Sequence, residues 1–148
     1  MQNKLRGGEM HIPDLIDWGP RFELGIDSID QQHRALVNMI NALQTAMAFG
    51  DSRPLLDQLF TDLAAYANSH FAFEHELLES VQFPGLREHL TKHERYKNRL
   101  QSLKEEFLGK KSFLISTKVK EFLREWFYQH VLVEDAQFAS YLTNKINS

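Results

Sequence analysis

Residues 70–93 read HFAFEHELLESVQFPGLREHLTKH and hold four of the seven histidines in the chain. The stretch is two runs of helical apolar period joined at Phe83-Pro84-Gly85, a strong turn signal. At about 100° per residue, His70 and Glu74 lie about 40° apart on one side of the first run, and His89 and His93 are placed alike on the second. His70 extends the stripe of Leu56, Leu59, Leu63 and Tyr66, while His89 and His93 fall in line with Leu86, Leu90 and Leu100. A histidine on a core-facing stripe must satisfy two ring nitrogens, so a cluster of them needs a common partner.

The same period extends outward in both directions, with no sustained strand-like alternation. A first helix is expected from near Ser28 or Asp30 to near Gly50, carrying Leu36, Val37, Ile40, Leu43 and Met47 at spacings of three and four. Asp51 or Ser52 followed by Pro54 signals the start of a second helix, because proline is tolerated in the first turn; it runs to about Val81. The third follows the turn and ends before Gly109, and a fourth runs from about Ser116 to Asn144 with Val119, Phe122, Leu123, Trp126 and Phe127 on its apolar side. The expected fold is all-α, an up-down-up-down antiparallel four-helix bundle spanning residues 28–148. Residues 1–27, broken by Pro13, Gly19, Pro20 and Gly25, read as an irregular arm packed on the bundle through Ile12, Leu15, Ile16, Trp18, Phe22 and Leu24.

Composition narrows the partners. The chain has 148 residues, 43% hydrophobic and 25% charged, which matches one compact domain. A net charge of −3, with basic residues scattered among acidic ones, gives no overall attraction to nucleic acid or an anionic membrane. No cysteine is present, which excludes disulfides, thiolate metal sites and cysteine nucleophiles. No apolar run approaches the roughly 20 residues of a membrane span, and the N-terminal residues lack the apolar core of a signal peptide. The reading is a cytoplasmic protein without membrane insertion.

His33 is in register with Leu36, Val37 and Ile40, and His130 continues the stripe through Val119, Leu123 and Trp126. Each of the four helices therefore sends at least one histidine inward, a convergence that a metal explains. His75, on the side away from the core, reads as a surface residue, and His11 belongs to the arm. Glu76, Glu79, Glu88 and Glu94 form a solvated face. HLTKH is not a zinc-protease motif, because Leu90 stands where the general-base glutamate is required. Five imidazoles and a carboxylate exceed one tetrahedral zinc, so two ions fit better. No glutamate stands three residues before any histidine, which sets the chain apart from ferritin-like carboxylate bundles. Two ions held close need bridging carboxylates. Glu74 is one; after His130 the candidates are Glu134, at spacing four, and Asp135, at spacing five, and regular helix geometry favours Glu134.

The stretches GIDSIDQQHRALV, HFAFEHELL, HLTKH and WFYQHVLVED, in that order on four successive helices, resemble the hemerythrin family, in particular its bacterial members. The resemblance implies seven metal ligands, His33, His70, Glu74, His89, His93, His130 and Asp135. It places Asp135, not Glu134, at the last position. Because five residues turn about 140° on a regular helix, the implied pairing of His130 with Asp135 calls for local widening toward i→i+5 geometry. It further implies two iron ions, one held by His89, His93 and His130 and the other by His33 and His70, bridged by Glu74, Asp135 and an oxo or hydroxo group. Dioxygen would be the ligand at an open position on the second iron, in an apolar pocket of Leu36, Phe71, Trp126 and Val131. The implied activity is reversible oxygen binding for carriage, storage or local supply, not catalysis. Sensing through a separate partner, turnover of peroxide or nitric oxide, and iron handling are the other readings. One departure from the family is His75, which stands where many bacterial members carry a second glutamate.

Overall fold

The computed structural model describes residues 14–50, 52–109 and 114–147, and all regular structure among them is helical. After a short 3₁₀ turn (Pro20–Phe22) come α1 (Asp27–Ala48), α2 (Arg53–Ser80) and α3 (Leu86–Leu108). The fourth helix expected from the sequence is a continuous rod of three pieces: α4 (Ile115–Trp126), a π-helical stretch (Phe127–Asp135) and α5 (Ala136–Asn147). His11, Ile12, Pro13 and Asp51 lie outside the described residues. None of the described helices is long and apolar enough to cross a membrane.

The helix starts come from local chemistry. Pro54 occupies the first turn of α2, where its missing N–H costs nothing. Ser52 precedes that helix but does not cap it; its hydroxyl pairs with that of Ser116 and so ties the start of α2 to the start of α4. At the start of α1, Asp30 folds back on the chain before it. Its carboxylate accepts the N–H groups of Leu24, at 2.8 Å, and Gly25, at 3.1 Å. Gly25 sits at φ +87°, a conformation that favours glycine, and this lets the chain turn into the helix.

That turn fixes the arm. Ile16 and Phe22 are buried in the main core, and Asn41 of α1 pairs with both the N–H and the C=O of Ile16, at 2.9 and 2.8 Å. Phe22 meets Phe127 edge-on at 5.1 Å, so the arm packs directly on the π-helical stretch. Asp30→Ala would leave the two partly buried backbone donors of Leu24 and Gly25 without their acceptor. It is expected to destabilise the fold by about 2 kcal/mol, read as a lower urea midpoint at unchanged m-value.

α2 packs on α3 and α1, and α4 packs on α1 and α3. The buried apolar side chains fall into two clusters. The larger includes Leu36, Ile40, Leu63, Phe71, Leu123, Trp126 and Val131, and the smaller is Ile29, Leu78, Phe138 and Leu142. On α1, α2 and the last rod the break between them is a polar step: His33 between Ile29 and Leu36, Glu74 between Phe71 and Leu78, Asp135 between Val131 and Phe138. A dry layer of ionisable groups thus interrupts the core, at a desolvation cost that needs a compensating partner.

Candidate metal centre

His33, His70, Glu74, His89, His93, His130 and Asp135 all reach that layer, and none is more than 5% exposed. Their ligand-capable atoms form two overlapping groups: His33, His70, Glu74, His130 and Asp135; and Glu74, His89, His93 and His130. Within each group these atoms lie within 4.8 Å of one another. His75 is elsewhere, its side chain 45% exposed and 3.7 Å from Glu79.

The carboxylates are divided between the two sets of histidines. Glu74 Oε1 lies 3.1 Å from the Nε2 atoms of His89 and His93 and 3.3 Å from that of His130, whereas its Oε2 lies 3.1 Å from Nε2 of His70. Asp135 Oδ2 lies 2.7 Å from Nε2 of His33, 3.1 Å from that of His130 and 3.6 Å from that of His70, and its Oδ1 is 3.6 Å from Nε2 of His89.

Close approach here is not hydrogen bonding throughout. His93 Nε2, Glu74 Oε2 and Asp135 Oδ1 are buried and make no hydrogen bond among the described residues, despite neighbours at 3.1 to 3.6 Å. The Nε2 atoms of His70 and His130 face each other at 3.1 Å. Donor atoms that crowd together without pairing are arranged around common points, which suits cations bound among nitrogen and carboxylate ligands. The set therefore fits a metal centre.

Electrostatics set the same polarity. Burial works against ionised Glu74 and Asp135, yet the imidazoles of His130 and, for Glu74, His70 outweigh it and hold both carboxyls below their ordinary values. Burial lowers the pKa of His93 to about 4, leaving a neutral ring with a free lone pair at neutral pH. Burial would also lower His130, but the Asp135 and Glu74 carboxylates reverse the sign and hold it well above the usual value. Two buried anions thus draw in positive charge, as protons or as metal.

The π-helical stretch decides how the last helix presents its residues. In a regular helix, Glu134 would follow His130 by about 40° and Asp135 by about 140°. Over residues 127–135 the backbone is π-helical, and i→i+5 geometry brings Asp135 back beside His130. Glu134 is displaced outward to Nδ1 of His130, at 3.2 Å. The widening called for by the His130–Asp135 spacing is present, and the regular-helix preference for Glu134 does not apply to this backbone.

Leu36, Phe71, Trp126 and Val131 are all buried in the larger apolar cluster, beside the polar layer. Phe71 stacks on His93 with ring centroids 3.8 Å apart, and Trp126 is 5.6 Å from Phe71. The stripe of α3 that joins Leu86 and Leu90 to the histidines is slightly off the true inward face: both leucines are only half-buried, while His89 and His93 are buried.

Three polar partners escape a reading of the sequence alone. Gln32 Oε1 pairs with Nδ1 of His70, Glu134 takes Nδ1 of His130, and Lys92 lies 3.5 Å from Glu134. The available signal is the second nitrogen of an inward histidine, which commonly donates to a carboxylate or carbonyl when the first faces a metal. Glu134 stands at the right spacing, but spacing presents it only as a rival ligand.

Residues 24–142 match the family model described as the hemerythrin HHE cation binding domain. The chain is 30% identical over 133 residues to a bacteriohemerythrin of Stenotrophomonas maltophilia, covering 90% of this chain and 85% of that one. It is 30% identical over 121 residues to a bacteriohemerythrin of Pseudomonas paraeruginosa, covering 82% of this chain and 77% of the relative. One of the hemerythrin subunits of Sipunculus nudus is 24% identical over 131 residues, covering 88% of this chain and 97% of the relative. With a buried histidine and carboxylate cluster on its helices and a family match spanning most of its length, this chain belongs to the hemerythrin family.

Proposed function

We propose that this protein is a non-haem di-iron oxygen-binding protein that binds dioxygen reversibly for carriage, storage or local supply. The observation that supports it best is that each carboxylate reaches histidines of both sets: Glu74 turns Oε1 to His89, His93 and His130 and Oε2 to His70, and Asp135 lies 2.7 Å from His33 and 3.1 Å from His130. In this reading His89, His93 and His130 would hold one iron and His33 and His70 the other, with Glu74 and Asp135 shared between them. The fold proposed with it is an up-down-up-down antiparallel bundle, with residues 14–27 of the described chain as an arm on it.

When bound, the iron pair supplies two electrons and an open coordination position for dioxygen. The protein's part is to orient and to exclude. Phe71 stacks on His93 with ring centroids 3.8 Å apart, and His130 meets His93 edge-on at 5.0 Å, contacts that restrain the imidazole plane. Leu36, Phe71, Trp126 and Val131 keep water and its protons from the pocket, the condition for oxygen to leave unchanged. Five imidazoles against two carboxylates give a less anionic set than oxidising di-iron enzymes use to stabilise high-valent metal.

Elemental analysis combined with optical spectra of the reduced protein, recorded before oxygen, after it and after its removal, tests the reading. The expected result is two irons per chain and a coloured oxygenated form that reverts when oxygen is withdrawn. A single zinc, or steady consumption of reductant without an oxygenated form, would overturn it.

A further inference from the structure

We propose that Glu134, held in place by Lys92, is a positioning residue that fixes His130 and strengthens its inward nitrogen as a donor. The proposal rests on the di-iron reading and concerns the unequal electronic character of the two sites. Glu134 Oε1 accepts Nδ1–H of His130 at 3.2 Å, and Glu134 is only 7% exposed. Its other oxygen lies 3.5 Å from Lys92 Nζ, and Lys92 is in turn 3.6 Å from Glu88. Lys92 stands on α3 between His89 and His93, so the Lys92–Glu134 pair links the helix carrying two of the three histidines to the π-helical stretch carrying the third.

The other histidines are treated differently. Nδ1 of His70 pairs with Gln32, a neutral amide, and Nδ1 of His33 and of His93 has no hydrogen-bond partner among the described residues. Among those residues His130 is the inward histidine whose Nδ1 meets a carboxylate. A hydrogen bond to an ionised acceptor is stronger than one to an amide. Donating Nδ1–H locks the tautomer that turns the Nε2 lone pair inward and raises its donor strength. Lys92 draws part of the carboxylate charge away, so it opposes Glu134 electronically while holding it in position. The three-histidine iron should therefore favour the ferric state more than it would with a neutral partner at residue 134.

This arrangement arises from the π-helical stretch. Without the widening, Glu134 would point at the metals; with it, the glutamate backs the histidine.

The test measures reduction potentials of the iron-loaded protein, together with the exchangeable imidazole proton signals in the paramagnetic NMR spectrum of the reduced form. Glu134→Gln keeps the shape and should shift the potential of one iron positive. Lys92→Ala should shift it negative, and Glu88→Gln, which removes a nearby but solvated charge, should leave it close to wild type. Glu134→Ala should retain two irons against a weak chelator and lose one shifted imidazole proton signal, with an iron affinity lower by up to about the 10–100-fold typical of losing such a partner. If wild type holds two irons but Glu134→Gln and Lys92→Ala leave the potential unmoved, or move it in the same direction, the positioning proposal is overturned while the di-iron reading stands. If wild type holds no iron pair, it is the di-iron reading that fails.

Discussion

Asp135→Ala is expected to lower the metal content from two irons per chain toward one, with the remaining iron more easily removed. Asp135 Oδ2 is the close carboxylate partner of His33, at 2.7 Å, and Oδ1 faces His89 at 3.6 Å, so its loss strips a contact from both histidine sets at once. Loss of a partner one step further out typically costs about 10–100-fold in metal affinity, and a bridging ligand should cost more. Glu134→Ala, one residue away, should leave the iron count at two, because that carboxylate meets Nδ1 of His130 and not the inward Nε2. Iron analysis of the two variants after dialysis against a weak chelator decides the matter. A paired loss for Glu134→Ala with retention in Asp135→Ala would show that regular-helix geometry was the better guide. Because metal binding and folding are linked, the Asp135→Ala protein should also melt at a lower temperature than iron-loaded wild type, and adding excess iron should recover less of the difference.

Trp126→Ala is expected to have the largest effect on the lifetime of the oxygenated protein. Trp126 is fully buried, stacked against Tyr96 with ring centroids 5.3 Å apart and tilted against Phe71 and Tyr66 at 5.6 and 6.0 Å. Tyr96 also lines a surface cleft of about 510 Å³ with Arg95, Arg99 and Phe122. The indole is therefore packed between that cleft's wall and the apolar side of the cluster. Removing it deletes the barrier to water and leaves a cavity worth about 3–5 kcal/mol of stability. The oxygenated colour should fade to the ferric spectrum much faster than in wild type, while two irons are still bound, because no ligand has been lost. Trp126→Phe, which fills most of the volume, should restore most of the lifetime. Equal decay rates in wild type and Trp126→Ala, at equal iron content, would remove Trp126 from the pocket.

Much of this was legible along the chain. The turn at Phe83-Pro84-Gly85 and the spacings of Leu36, Val37 and Ile40 or of Val119, Leu123 and Trp126 follow from a fixed angle per residue, a property of each helix alone. The inward direction of His33, His70, His89, His93 and His130 follows from the same angle, and all five are buried. Leu86 and Leu90 show the limit of that method, since both are half-buried although their period matches the histidines. An ideal angle says which residues share a stripe but not how wide a stripe the neighbouring helices cover.

The sequence by itself determined the helices, the histidines that face inward and, through four motifs in order, the family. Tertiary structure decided what depends on contacts between helices. It set both Glu74 and Asp135 against histidines of the two sets, paired Nδ1 of His70 with Gln32, and brought Lys92 of α3 to Glu134. It also set the pitch over Phe127–Asp135, which is not the ideal pitch on which spacing arguments rely, and so placed Asp135 beside Nε2 of His130 and Glu134 beside Nδ1. A helix widens by one residue only where surrounding contacts outweigh the poorer backbone geometry. The contacts made by this stretch, Phe22 of the arm on Phe127, His33 on Asp135 and Lys92 on Glu134, all come from residues remote in sequence.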